Sequence, residues 1–85
     1  MLMSRNEIID KLRDILLFAD ETNRDTIMAA TEDTELVTGL GLTSVRMLYL
    51  AIAIEETFSI RFENVGFNDF RTIKDLTDYI ERNLK

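Results

Sequence analysis

Leu40-Gly41-Leu42-Thr43-Ser44 runs directly into Val45-Arg46-Met47-Leu48-Tyr49-Leu50-Ala51-Ile52-Ala53-Ile54, which sets a pair of hydroxyls at the mouth of a strongly apolar segment. Nine of the ten residues from Val45 to Ile54 are apolar or aromatic, and only Arg46 is charged. The segment reads as a helix from Ser44 to about Phe58, ending before Ser59-Ile60-Arg61-Phe62. A helix needs only one core-facing stripe, yet this one is apolar nearly all round. Met47, Leu50, Ala51, Ile54 and Phe58 make one core face. Val45, Leu48, Tyr49 and Ile52 fall largely on another side that begins beside Ser44, and Tyr49 reads as the most exposed of them. Ser44 itself has two open roles. It can cap the helix, or it can carry a phosphate ester stabilised by free backbone N–H groups and the helix dipole. Thr43 is an equally good cap, which would leave Ser44 in the first helical position with its side chain free to face solvent.

Outward from this helix, the rest of the chain is also helical in pattern. Ser4-Arg5-Asn6-Glu7 is a capping box, with Ser4 at the N-cap and Glu7 able to reach back. Ile8, Leu12, Ile15 and Leu16 follow at helical spacing, with Ile9 and Phe18 widening the stripe, so a first helix spans about residues 4–19. Polar residues from Asp20 to Asp25 and the cluster Thr31-Glu32-Asp33-Thr34 then mark a long connection, pinned by Ile27, Met28, Leu36, Val37 and Leu40. A short helical turn is expected within it near residues 34–38. Gly39 and Gly41 flank Leu40 and permit a tight approach into the next helix. A short helix fits between Asn64 and Phe70, although Gly66 weakens it. Thr72 caps a last helix, with Asp75 suited to the dipole and Ile73, Leu76, Tyr79, Ile80 and Leu84 on its apolar face. The predicted fold is all-α: a small four-helix bundle of three main helices and one short helix with a long first loop, formed as a single domain over residues 1–85.

Composition removes several kinds of chemistry. The 85 residues suffice for one small domain that buries about 60% of its unfolded surface. There is no cysteine, hence no disulfide and no thiolate metal site, and no histidine, hence neither the usual general base nor the commonest metal ligand. Ten basic against sixteen acidic side chains give a net charge of −6, which repels polyanions and argues against nucleic-acid binding. No apolar run approaches the roughly 20 residues of a membrane span, and Met1 to Arg5 do not resemble a signal peptide, so a cytoplasmic location is expected. Catalytic triads are excluded, and a calcium loop starting at Asp20 fails because Arg24 falls on a ligand position and Asp25 where glycine is needed. The pairs Glu55-Glu56 and Asp20-Glu21 read as solvated helix faces.

These residues resemble the acyl carrier protein family, whose members open the second helix of a four-helix bundle with a Gly-x-Asp-Ser-Leu motif. Here the chain reads Gly41-Leu42-Thr43-Ser44-Val45. Leu36 and Leu40 stand where the family has apolar loop residues, and Glu55-Glu56-Thr57-Phe58 is similar to the Glu-Glu-x-Phe that closes that helix. Phe62, Phe70-Arg71-Thr72-Ile73 and Asp78-Tyr79-Ile80 continue the register without a gap from Leu36 to Ile80. The resemblance implies that Ser44 is esterified by 4′-phosphopantetheine, transferred from coenzyme A by a Mg²⁺-dependent phosphopantetheinyl transferase. The arm's thiol would hold an acyl group as a thioester, with Ser44 as anchor and no catalytic residue in the chain itself. Partners would be that transferase and acyl-loading and acyl-processing enzymes, met by a monomer through Thr43, Val45, Arg46, Leu48, Tyr49 and Ile52.

Three positions depart from the family pattern. Thr43 replaces the usual aspartate, Val45 the usual leucine, and Tyr49 stands where a recognition glutamate is common, while Arg46 makes the helix start less acidic still. Basic docking sites of general fatty-acid enzymes would find few carboxylates here, which points to a specialised fatty-acid, polyketide or modified-lipid pathway. Peptidyl carriers, with Gly-Gly-x-Ser and a frequent histidine before the serine, fit Leu42-Thr43 less well. The competing reading is a small helical adaptor in which Ser44 merely starts a helix and Val45, Leu48 and Tyr49 dock a protein.

Overall fold

The computed structural model describes residues 3–62 and 69–84. Helix α1 spans Arg5–Ala19, α2 Arg24–Ala29, α3 Ser44–Phe58 and α4 Ile73–Asn83. The short helix expected between Asn64 and Phe70 lies, but for its last two residues, outside the described region. Capping follows the sequence signals closely. Ser4 and Glu7 form the reciprocal box that starts α1, and Thr72 and Asp75 form the one that starts α4. At its far end α3 closes through Ser59, which adopts the left-handed conformation with φ 56°.

Helix α1 is the centre of the bundle and packs against α2, α3 and α4. Its Ile8, Leu12, Ile15 and Leu16 are buried, together with Met47, Leu50, Ala51, Ile54 and Phe58 of α3 and Ile73, Leu76, Tyr79 and Ile80 of α4. The core face assigned to α3 from its spacing is the one observed. Beyond the end of α3 an aromatic cluster joins the bundle. Phe62 stacks on Tyr79 at 5.1 Å between centroids, and Phe70 meets both rings edge-on at 5.5 Å. The Tyr79 hydroxyl satisfies itself by donating to the Arg61 carbonyl at 2.8 Å.

The long first connection is more ordered than its polar composition suggests. A 3₁₀ turn at Glu21–Asn23 leads into α2, so the helical piece lies at residues 21–29, ahead of the position expected near 34–38. Residues 36–40 instead form a tight turn in which the N–H groups of Gly39 and Leu40 both donate to the Glu35 carbonyl at 3.0 Å. That closure needs glycine at 39, because a Cβ there would stand 2.5 Å from the Glu35 oxygen. Leu36 and Leu40 are buried and anchor the turn from inside. From outside it is held by a short antiparallel bridge: Leu36 N–H donates to Arg71 O at 2.8 Å and Ile73 N–H to Thr34 O at 3.1 Å.

Two of the carboxylates read as solvated are structural. Glu55 accepts from the Phe62 N–H at 2.9 Å and fastens the chain after α3, while Asp20 is buried, accepts from Thr22 and faces Arg46. Phe18 also departs from its assignment. It lies at the end of α1 with 74% of its surface exposed, off the core stripe.

Candidate functional site

The chain reaches the start of α3 under tight control. Gly41 takes φ +68°, a left-handed conformation that glycine adopts without strain. Leu42 is buried and its N–H donates to the Leu36 carbonyl at 3.2 Å, while the Asn23 amide donates to the Leu40 carbonyl at 2.7 Å. Thr43 is then the cap. Its backbone is extended and its hydroxyl accepts from the Arg46 N–H at 3.2 Å. Ser44 is therefore the first helical residue, exposed, with its hydroxyl not engaged as the cap. A helix leaves its first N–H groups without intrahelical carbonyls, and Thr43 takes only one of them. A negative group on Ser44 would meet the remaining donors and the positive end of the dipole.

Beside Ser44 opens a groove of about 540 Å³. Its lining includes the apolar Leu42, Met47, Leu48, Phe70 and Val37 and the charged Glu35 and Arg71. A volume in this range with a few convergent polar groups is typical of a site for a small organic ligand. No acidic residue lies in the first turn of α3, and Arg46 pairs with Asp20 at 3.7 Å on the α1 side.

A family model described as a phosphopantetheine attachment site matches residues 10–80. The chain is also 31% identical over 86 residues to the acyl carrier protein of Coprothermobacter proteolyticus, with 96% of each chain covered. The chain belongs to the acyl carrier protein family. Its similarity extends to the acyl carrier proteins of Aster yellows witches'-broom phytoplasma, 33% identical over 89% of this chain and 96% of the relative, and of Thermotoga maritima, 29% identical over 95% and 96%. Members of this family are non-catalytic carriers. Among the described residues no cluster of His, Cys, Asp and Glu suits a metal ion, and no helix is long and apolar enough to cross a membrane.

The residues present fit a phosphopantetheine group. An exposed hydroxyl stands at a helix start with donors to spare, no carboxylate crowds it within the first turn, and an apolar groove adjoins it. The surface assigned to partners is outward-facing as a set. Val45 is 78% exposed, Leu48 59%, Ile52 49% and Tyr49 40%. Tyr49 is thus the least exposed of the four, because its ring stacks on Phe18 with centroids 6.4 Å apart and planes 18° apart. Thr43 serves the cap, and Arg46 pairs with Asp20 and does not line the groove.

Sequence reasoning missed Asn23, Phe18 and Arg71 as parts of this region. Asn23 had no signal beyond a polar cluster. Phe18 lies off the core stripe and meets Tyr49 of α3, a contact between helices that helical spacing within α1 does not encode. Arg71 reaches the groove only through the bridge between residues 34–36 and 71–73, a long-range pairing without a local signature.

Proposed function

We propose that Ser44 is the residue esterified by 4′-phosphopantetheine and that the chain carries acyl intermediates on the resulting arm. The observation that carries this reading is the division of labour at the start of α3, where Thr43 caps the helix and leaves the Ser44 hydroxyl exposed beside free backbone donors. The phosphopantetheine arm supplies a terminal thiol on which an acyl group is held as a thioester. The residues of the chain anchor, orient and present that arm. The exposed hydroxyl gives a phosphopantetheinyl transferase access, the helix start stabilises the ester's charge, and the adjoining groove offers apolar cover for part of the cargo.

Partner enzymes would seat on Thr43, Val45, Arg46, Leu48, Tyr49 and Ile52. That surface is mostly apolar, carries one cation and lacks acid in its first turn, so the chain is suited to dedicated partners with largely apolar docking sites, as in a polyketide or modified-lipid route, more than to strongly basic ones. Because the chain has no cysteine, the reading has a direct chemical test. The purified apo-protein contains no thiol. Incubated with coenzyme A, Mg²⁺ and a promiscuous phosphopantetheinyl transferase, then freed of small molecules, it should contain one thiol per chain. A thiol content that stays at zero with several such transferases would contradict it.

A further inference from the structure

We infer that Arg71 is an anion-holding residue of the Ser44 groove, which takes a negative group delivered on the arm and gives up Glu35 to do so. The inference rests on the reading of Ser44 as the attachment point. Among the described residues that line the groove, Arg71 is the one cation and Glu35 the one carboxylate, and Ser44 lines the same groove. A phosphodiester on Ser44 is therefore a permanent anion introduced into a groove whose lining also includes a guanidinium.

The arginine has a fixed base and a loosely held head. Its N–H donates to Asp75 Oδ2 at 2.9 Å and its carbonyl accepts from Leu36 N–H at 2.8 Å, so its backbone is clamped on both sides. Its side chain, in contrast, is 80% exposed and meets Glu35 only at 3.5 Å. An exposed pair at that separation contributes little and exchanges readily. Glu35 does not depend on it, because its other oxygen accepts from the Thr38 hydroxyl at 3.1 Å. The remaining cations with ion pairs are committed elsewhere: Arg5 to Glu32, Asp78 and Glu81, Arg46 to Asp20, Arg13 to Asp10, and Lys74 to Asp78. The guanidinium's planar fork matches two non-bridging phosphate oxygens or the two oxygens of a carboxylate, which a lysine cannot do. The anion has two sources on a loaded arm, the phosphodiester and a carboxylate on the cargo.

The test compares ¹⁵N-labelled apo, holo and malonyl-loaded protein by the Nε–H resonance of Arg71 and its exchange with water, with intact mass recorded on each sample. Arg71→Lys and Arg71→Gln, both at an exposed side chain with the backbone clamps retained, serve as controls for assignment and for the fork. In the holo form the Arg71 Nε–H should shift and its exchange should slow by up to about fivefold, the size of an exposed ion pair, with the effect fading in roughly 0.5 M salt. The ³¹P resonance of the diester should move in Arg71→Gln and less in Arg71→Lys. A response in the holo form identifies the phosphodiester, and one that appears only after malonyl loading identifies the cargo carboxylate; both support the inference. A full mass gain with an Arg71 signal identical in all three forms overturns it while leaving Ser44 as the attachment point. Absence of any mass gain overturns both.

Discussion

The ring of Tyr49 on α3 lies against the ring of Phe18 at the end of α1, nearly parallel and 6.4 Å away, and both rings are open to solvent. Two helices thus contribute to one exposed apolar surface, continued along α3 by Val45, Leu48 and Ile52. A contiguous surface of this kind on a small protein marks an interaction site more often than a packing accident.

Its placement outside the core has a measurable consequence. Phe18→Ala should cost about 1 kcal/mol or less, the scale of one exposed aromatic pair, whereas Leu36→Ala, fully buried in the first connection, should cost roughly 2–5 kcal/mol. Urea unfolding of the two variants gives the comparison. Equal losses would mean that Phe18 belongs to the core after all.

The cap and the attachment point should separate by mutation. Thr43→Ala removes the acceptor for the Arg46 N–H and should lower stability by about 1 kcal/mol. Ser44→Ala, at an exposed first helical position, should change it by less than about 0.5 kcal/mol. Thermal melts of both variants beside the wild type check this, and a larger loss in Ser44→Ala would return the capping role to Ser44.

Acid should loosen the junction of α1, the first connection and α4. Asp75 accepts N–H groups of Arg71 and Thr72, and Asp78 accepts from Arg5 and Lys74, so both carboxyls are held below the ordinary aspartate value of 3.8. A depressed folded value contributes stability that is present above the unfolded value and lost as pH falls through the folded one. The chain has no histidine, so stability measured by urea midpoint should stay nearly level from roughly pH 5 to 7 and fall below roughly pH 4. In Asp75→Asn the fall should be shallower. An unchanged acid slope would show that these bonds do not perturb Asp75.

Partner choice should respond to charge placed on α3. Wild-type protein should be a poor substrate for general fatty-acid enzymes with basic docking sites, and Tyr49→Glu and Arg46→Glu should each raise kcat/KM several-fold at low salt. Arg46→Glu also places a second carboxylate near Asp20, so its melting temperature is measured alongside. If neither change improves turnover, charge on α3 does not govern partner choice.

Much of the fold was legible because its signals are local. Ser4-x-x-Glu7, Thr72-x-x-Asp75 and the spacing of Met47, Leu50, Ile54 and Phe58 each specify their own element. The first connection was less legible. Its helix α2 is six residues long, below the length at which periodicity is readable, and its turn at 36–40 is set by pairing with Arg71 and by burial of Leu36. The same reason hid Arg71 from the site. Ser44 was legible as a hydroxyl at a helix mouth, but the choice between Thr43 and Ser44 as cap required the backbone geometry.

Intact mass reads out directly whether Ser44 anchors the arm. Wild type, Thr43→Ala and Ser44→Ala are each incubated with coenzyme A, Mg²⁺ and a promiscuous phosphopantetheinyl transferase. The wild type and Thr43→Ala should each gain one phosphopantetheine group, and a folded Ser44→Ala none. A gain in Ser44→Ala, or none in the folded wild type, would contradict it.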